Sequence, residues 1–115
     1  MVNFACKKFD LSEIIKCSLS LTKIECKILK FLLKNEDDWL SSTDIAKKMG
    51  VGRSTAQKAV KKLNEKKILN QRQQNIEGGG YFFVYQIENK QKVRKIITDI
   101  VHEWVNDFEK EINKW

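Results

Sequence analysis

Apolar positions recur every three or four residues through most of this chain and give way to a run of aromatic and β-branched residues over 81–87. In "DLSEIIKC", residues 10–17, Leu11, Ile14 and Ile15 fall on one side of a short helix, with Asp10 as its N-cap. A stronger stripe follows Leu21: Ile24, Ile28, Phe31 and Leu32, widened by Leu29 and Leu33. Thr22-x-x-Glu25 is a capping box that opens this helix, Leu21 is placed to act as a hydrophobic staple, and the helix is expected to end near Asn35. "NEDDWL" is a polar turn closing on Trp39 and Leu40, which suit a very short strand.

Ser41-x-x-Asp44 is a second helix start. The helix it opens is brief: Ile45, Ala46 and Met49 face inward, and Gly50 supplies a left-handed stop. Another helix starts at Gly52-Arg53, so the chain reads helix, short turn, helix. Val51 plugs the corner, and Ala46 is small where the two helices approach. In the second helix Ala56, Ala59, Val60 and Leu63 fall at i, i+3, i+4 and i+7 and define the inward stripe. A strand near Ile68 to Gln74, the turn "NIEGGG" and the strand "YFFVYQI" form a β-hairpin, with Tyr81, Phe83, Tyr85 and Ile87 on one face and Phe82, Val84 and Gln86 on the other. The chain from Asn89 on reads as one long helix, with Val93, Ile97, Ile100, Trp104, Phe108, Ile112 and Trp115 along a single stripe. The expected architecture is mainly α with a small β-hairpin: an N-terminal helical extension (1–20), a central unit (21–88) and a C-terminal helix (89–115).

Composition narrows the class. The 115 residues suit one domain, and 42% hydrophobic content supports a core. No apolar run reaches the ~20 residues needed to span a membrane, and "MVNFACKKFD" lacks a signal-peptide core, so the expected location is the cytoplasm. Cys6, Cys17 and Cys26 lack metal-ligand spacing, and His102 is the only histidine, so no metal or cofactor is implied. The three cysteines read as reduced residues, with a redox sensor as the sharper alternative. Gly78-Gly79-Gly80 lacks the Lys-Ser/Thr of a phosphate loop, and no Ser/His/Asp or Cys/His set stands out. An enzyme is not expected.

Charge sharpens the picture further. The formal net charge is +7, and residues 41–88 hold 9 Lys/Arg against 4 Asp/Glu. Opposite the Ala56/Leu63 stripe, Arg53, Ser54, Gln57, Lys58, Lys61 and Lys62 are expected to point outward. A purely solubilising face mixes Glu with Lys, yet no acid lies between Asp44 and Glu65. The first turn carries Arg53, Ser54, Thr55 and Gln57, groups suited to base edges. Lysines follow where a helix leaving a groove meets phosphates.

Residues 21–87 resemble the winged helix-turn-helix domain of the MarR/TrmB-like transcriptional regulators, especially small archaeal ones. The resemblance rests on "LTKIECKILKFLL", "LSSTDIAKKMGVGRSTAQKAVKKLNEKKIL" and "GGGYFFVYQI". It implies sequence-specific binding of double-stranded DNA, with a recognition helix at about 53–66 in the major groove and the hairpin as a flanking wing. By position, Arg53, Ser54, Thr55, Gln57 and Lys58 become groove readers, and Lys61 and Lys62 meet phosphates. Ser42 and Thr43 sit where a helix start donates to a phosphate. Related wings carry Arg or Lys near the tip; here the tip is Gly78-Gly79-Gly80 beside Glu77, and the nearest basic wing residue is Arg72.

A terminal helix of this length, roughly 37 Å, outruns a small winged-helix core. The resemblance implies a homodimer, with Ile97, Ile100, Trp104, Phe108 and Ile112 as its interface and Leu11, Ile14 and Ile15 joining it. With no separate sensor domain expected, the effector is unspecified; a ligand would bind at the dimer junction or modify a cysteine. Two other classes fit the same residues: an RNA-binding or replication-associated winged helix, and a winged-helix protein-interaction module. The acid-free face from Arg53 to Lys62 disfavours the last.

Overall fold

The structure, a computed structural model, describes residues 1–115. A hairpin opens the chain, β1 (Val2–Phe4) antiparallel to β2 (Lys7–Phe9). Four helices follow: α1 (Leu11–Ser18), α2 (Lys23–Lys34), α3 (Ser42–Met49) and α4 (Arg53–Glu65). A second hairpin, β3 (Leu69–Asn75) with β4 (Tyr81–Ile87), precedes the long α5 (Lys90–Asn113). The first hairpin has no counterpart in the sequence reading: "VNFACKKF" lacks a Gly, Asn or Asp turn, and Ala5 adopts φ 49° in its place.

Local chemistry fixes the element boundaries. The Asp10 carboxylate accepts from Ser12 N–H and caps α1. Thr22 and Glu25 form a reciprocal capping box at α2, and Ser41 and Asp44 form another at α3. Asn35 ends α2. Gly50, at φ 67°, ends α3 in the left-handed conformation that a side chain resists. Leu40 pairs with Tyr85 as an isolated antiparallel bridge, so the expected short strand joins the edge of β4. Register runs from Leu69 opposite Ile87 to Asn75 opposite Tyr81.

The core gathers Leu19, Ile28, Leu29, Leu32, Ile45, Leu63 and Ile68, all fully buried. Ala56, Ala59, Val60 and Leu63 are buried together, as the spacing predicts. Fully burying a side chain the size of Val60 or Leu63 is worth about 1.5–3 kcal/mol. Two expected inward residues are exposed, Leu11 and Ile24. Next to Ile24 the inward direction is taken by Glu25, which the capping box and a lysine hold in place.

Three helices with a helix-turn-helix at their centre and a hairpin beside the second helix of that motif make this a winged helix-turn-helix, extended by a long C-terminal helix. The first half of α5 packs on the body through buried Val93 and half-buried Ile96, Ile97 and Ile100. From His102 onward every residue is exposed, and the molecule measures 63 × 24 × 24 Å.

Candidate nucleic-acid interface

The start of α3, one side of α4 and the wing enclose an open cleft of about 740 Å³. Ser41, Ser42, Thr43 and Asp44 line one wall; Arg53, Gln57, Val60, Lys61 and Asn64 line the floor; Gln71, Phe82, Phe83 and Tyr85 come from the wing. Val60 is the one floor residue that belongs to the buried stripe; that stripe turns Arg53, Gln57 and Lys61 out, because residues on the other side of the helix must face solvent.

Two helix N-termini serve this side of the molecule. At α3 the Ser41 hydroxyl accepts from Asp44 N–H at 3.1 Å, and the Asp44 carboxylate accepts from Ser41 N–H at 3.1 Å. The one acidic side chain lining the cleft is thus engaged with backbone. At α4 the N-cap is Gly52, which offers no side-chain acceptor, and the first turn holds no acid. Its leading N–H groups stay available to an anion.

Five ion pairs occur in the molecule, and Lys62 is the only α4 side chain among them. Arg53, Lys58 and Lys61 are exposed and carry no ion-pair partner. Lys62 departs from the expected outward face. Its Nζ donates to Glu25 Oε1 at 2.8 Å and to Ser20 O at 3.2 Å. It sits at the edge of the buried arc, where a long side chain reaches inward to a buried carboxylate. Burial alone would raise the Glu25 carboxyl. The Lys62 hydrogen bond and charge, with donation from Thr22, more than offset that and hold it below its ordinary value.

Arg72 is likewise engaged elsewhere. Its guanidinium lies 4.4 Å from the centre of the Trp39 ring, a cation–π contact outside the cleft lining. Thr55 is half-buried, and Thr55 and Lys58 lie on α4 beyond the cleft lining. The structure therefore brings together Ser42, Thr43, Arg53, Gln57 and Lys61, with Ser54 exposed on the adjoining turn.

Several cleft residues were not singled out from sequence. Asn64 Nδ2 donates to Gln71 Oε1 at 3.3 Å, and Gln71 Nε2 contacts the Tyr85 hydroxyl at 3.5 Å, linking the end of α4 to the wing. Phe82 and Phe83 both reach the cleft although strand alternation separates them; two-stranded ribbons twist strongly. A second basic row, Lys23, Lys27, Lys30 and Lys34, runs exposed along α2 on the side away from its buried residues.

The fold and its cleft define a winged-helix protein. The sequence matches the DnaD N-terminal domain over residues 9–107, and the chain belongs to that family. The uncharacterized protein MJ1503 of Methanocaldococcus jannaschii is 30% identical over 105 residues, spanning 91% of this chain and 78% of that protein. A solved structure from Methanosarcina mazei Go1, described as a possible transcriptional regulator, is 41% identical with a TM-score of 0.93, covering 100% of this chain and 96% of that one. The ST1889 protein of Sulfolobus tokodaii shares the fold at 16% identity, with a TM-score of 0.65 over 83% of this chain and 91% of its own. The family shown is the DnaD N-terminal domain rather than the MarR/TrmB-like group expected from the central motif, and none of these matches supports that finer assignment.

Proposed function

We propose that the protein is a sequence-specific double-stranded DNA-binding transcriptional regulator that acts as a homodimer, with α4 in the major groove. The single observation that carries this reading is the cleft: unpaired Arg53 and Lys61, the amide of Gln57 and the uncapped, acid-free start of α4 converge on one concave, acid-poor surface. Arg53, Ser54 and Gln57 read base edges from the first turns of α4. Lys61, Lys58, Ser42 and Thr43 anchor phosphates. Thr55 belongs at the margin of the reading face, and Lys62 and Arg72 serve the fold instead. The Methanosarcina mazei relative described as a possible regulator supports the same reading, as does the resemblance of the central motif to MarR/TrmB-like regulators.

The dimer rests on α5. Trp104, Phe108 and Ile112 are exposed, and the Trp104 and Phe108 rings stack at 6.0 Å. Ile97 and Ile100 pack partly on their own domain and continue that stripe. A two-fold pairing through this helix presents two copies of α4 to half-sites about one turn apart.

The test is selection of bound fragments from genomic DNA, followed by salt titration of the selected duplex against random duplex and RNA of the same sequence. The reading expects a preferred duplex sequence and weaker RNA binding. Equal binding to RNA and to all duplexes would replace it with a general nucleic-acid-binding role.

A further inference from the structure

The wing carries a feature that phosphate contact does not explain. From Gln73 to Phe83 it holds no Lys or Arg and one acid, Glu77. It exposes three adjacent aromatic side chains instead: Tyr81 is 58% exposed, Phe82 41% and Phe83 38%. The Tyr81 and Phe83 rings meet edge to face, with centroids 5.5 Å apart and planes at 71°. Across the ladder stand neutral amides: Gln73 opposite Phe83, Gln74 opposite Phe82 and Asn75 opposite Tyr81. The turn beyond them is Gly78-Gly79-Gly80, all at positive φ, so no side chain from these three positions stands between the rings and an approaching ligand.

Aromatic exposure of this kind marks a binding surface, and its setting identifies the occupant. Phe82 and Phe83 line the same cleft as Arg53, Gln57 and Lys61, and the only acid there, Asp44, is committed to the Ser41 N–H. An occupant must offer flat apolar faces and negative charge together. We propose that the wing binds an unstacked nucleobase, its face against Phe82 or Phe83 and its phosphates toward Lys61. This rests on the reading of the cleft as a DNA surface and adds a substrate feature to it. Two sources supply the same chemistry: a base step opened by a kink in the duplex, and an unpaired base in a single-stranded segment beside the duplex.

The experiment uses the full chain and the selected duplex in two forms, intact and with a two-base unpaired bubble at the wing position. Each carries 2-aminopurine there. Wild type is compared with Phe82→Leu and Phe83→Leu, which keep apolar bulk without a ring, and with Phe82→Tyr and Phe83→Tyr, which keep the ring. An unpaired source predicts roughly tenfold tighter binding of the bubble probe by wild type and the Tyr variants, lost in the Leu variants. A kinked source predicts equal affinities, but a ring-dependent 2-aminopurine change in the intact duplex. Photocrosslinking of 5-iodouracil placed at the same position in wild-type complexes needs no variant and should map to Phe82 or Phe83. Equal affinities with ring-independent fluorescence, or crosslinks only outside the wing, would overturn the proposal. If that result came with Arg53-dependent duplex binding, the cleft reading would stand and the wing inference alone would fail. If wild type bound neither probe, both would fail.

Discussion

At the residue scale, two neighbours on α4 have opposite jobs. Lys61 is exposed in the cleft, whereas Lys62 closes on buried Glu25. Lys62→Ala should therefore cost stability, about 1.5–3 kcal/mol for a charge-assisted hydrogen bond, toward the low end because Lys62 is partly solvated. Chemical denaturation would measure it, and the salt dependence of DNA binding should stay unchanged. The Glu25 carboxyl adds a pH signature. Its folded value is lowered, so its contribution is complete above the ordinary Glu value of about 4.3. The contribution is lost as pH falls through the lower folded value. Glu25→Gln should flatten that acid limb in melts taken across this range, while reducing stability near neutrality. Sequence periodicity did not reveal this pair. It sets Lys62 with the outward-pointing residues, and only the tertiary approach of α2 to α4 turns that side chain onto Glu25. The same holds for Arg72, whose partner Trp39 lies on a different segment.

At the element scale, boundaries were legible wherever a backbone group needed a particular side chain. Both capping boxes, the Asn35 stop and the Gly50 stop follow from hydrogen-bond satisfaction within four residues, which sequence alone can express. The α4 stripe was legible for the same reason: one period and one buried face. The N-terminal hairpin was not, because its turn lacks the usual residues and its strands are largely exposed. The wing was legible as a hairpin, but Phe82 and Phe83 as cleft residues were not, since twist defeats simple alternation. Gly50 tests the corner between α3 and α4. No atom crowds a Cβ there, so the penalty of Gly50→Ala comes from φ 67° alone. It should lower stability by roughly 1 kcal/mol in urea melts, without abolishing the fold.

At the scale of the whole molecule, the outer half of α5 is the part its own domain leaves uncovered. Trp104 is 64% exposed and stacks only on its helix neighbour Phe108. A charge at this position should be accepted by a lone chain and rejected by a pairing helix. Trp104→Glu is expected to give monomers in analytical ultracentrifugation with an unchanged circular dichroism spectrum. An unchanged sedimenting mass would remove Trp104 from the interface. The proposed pairing also sets avidity: monomers should lose affinity for a two-half-site duplex and keep their affinity for a single half-site.

The central claim is that the first turns of α4 read DNA sequence while its later lysines hold the backbone. Salt titrations of wild type, Arg53→Ala and Lys61→Ala, each against the preferred duplex and a scrambled one, test it most directly. Arg53→Ala should lose about 1–3 kcal/mol on the preferred duplex and little on the scrambled one. Lys61→Ala should weaken both alike and reduce the salt slope by about one counterion. Unchanged binding of Arg53→Ala to the preferred duplex would contradict the orientation of α4 proposed here.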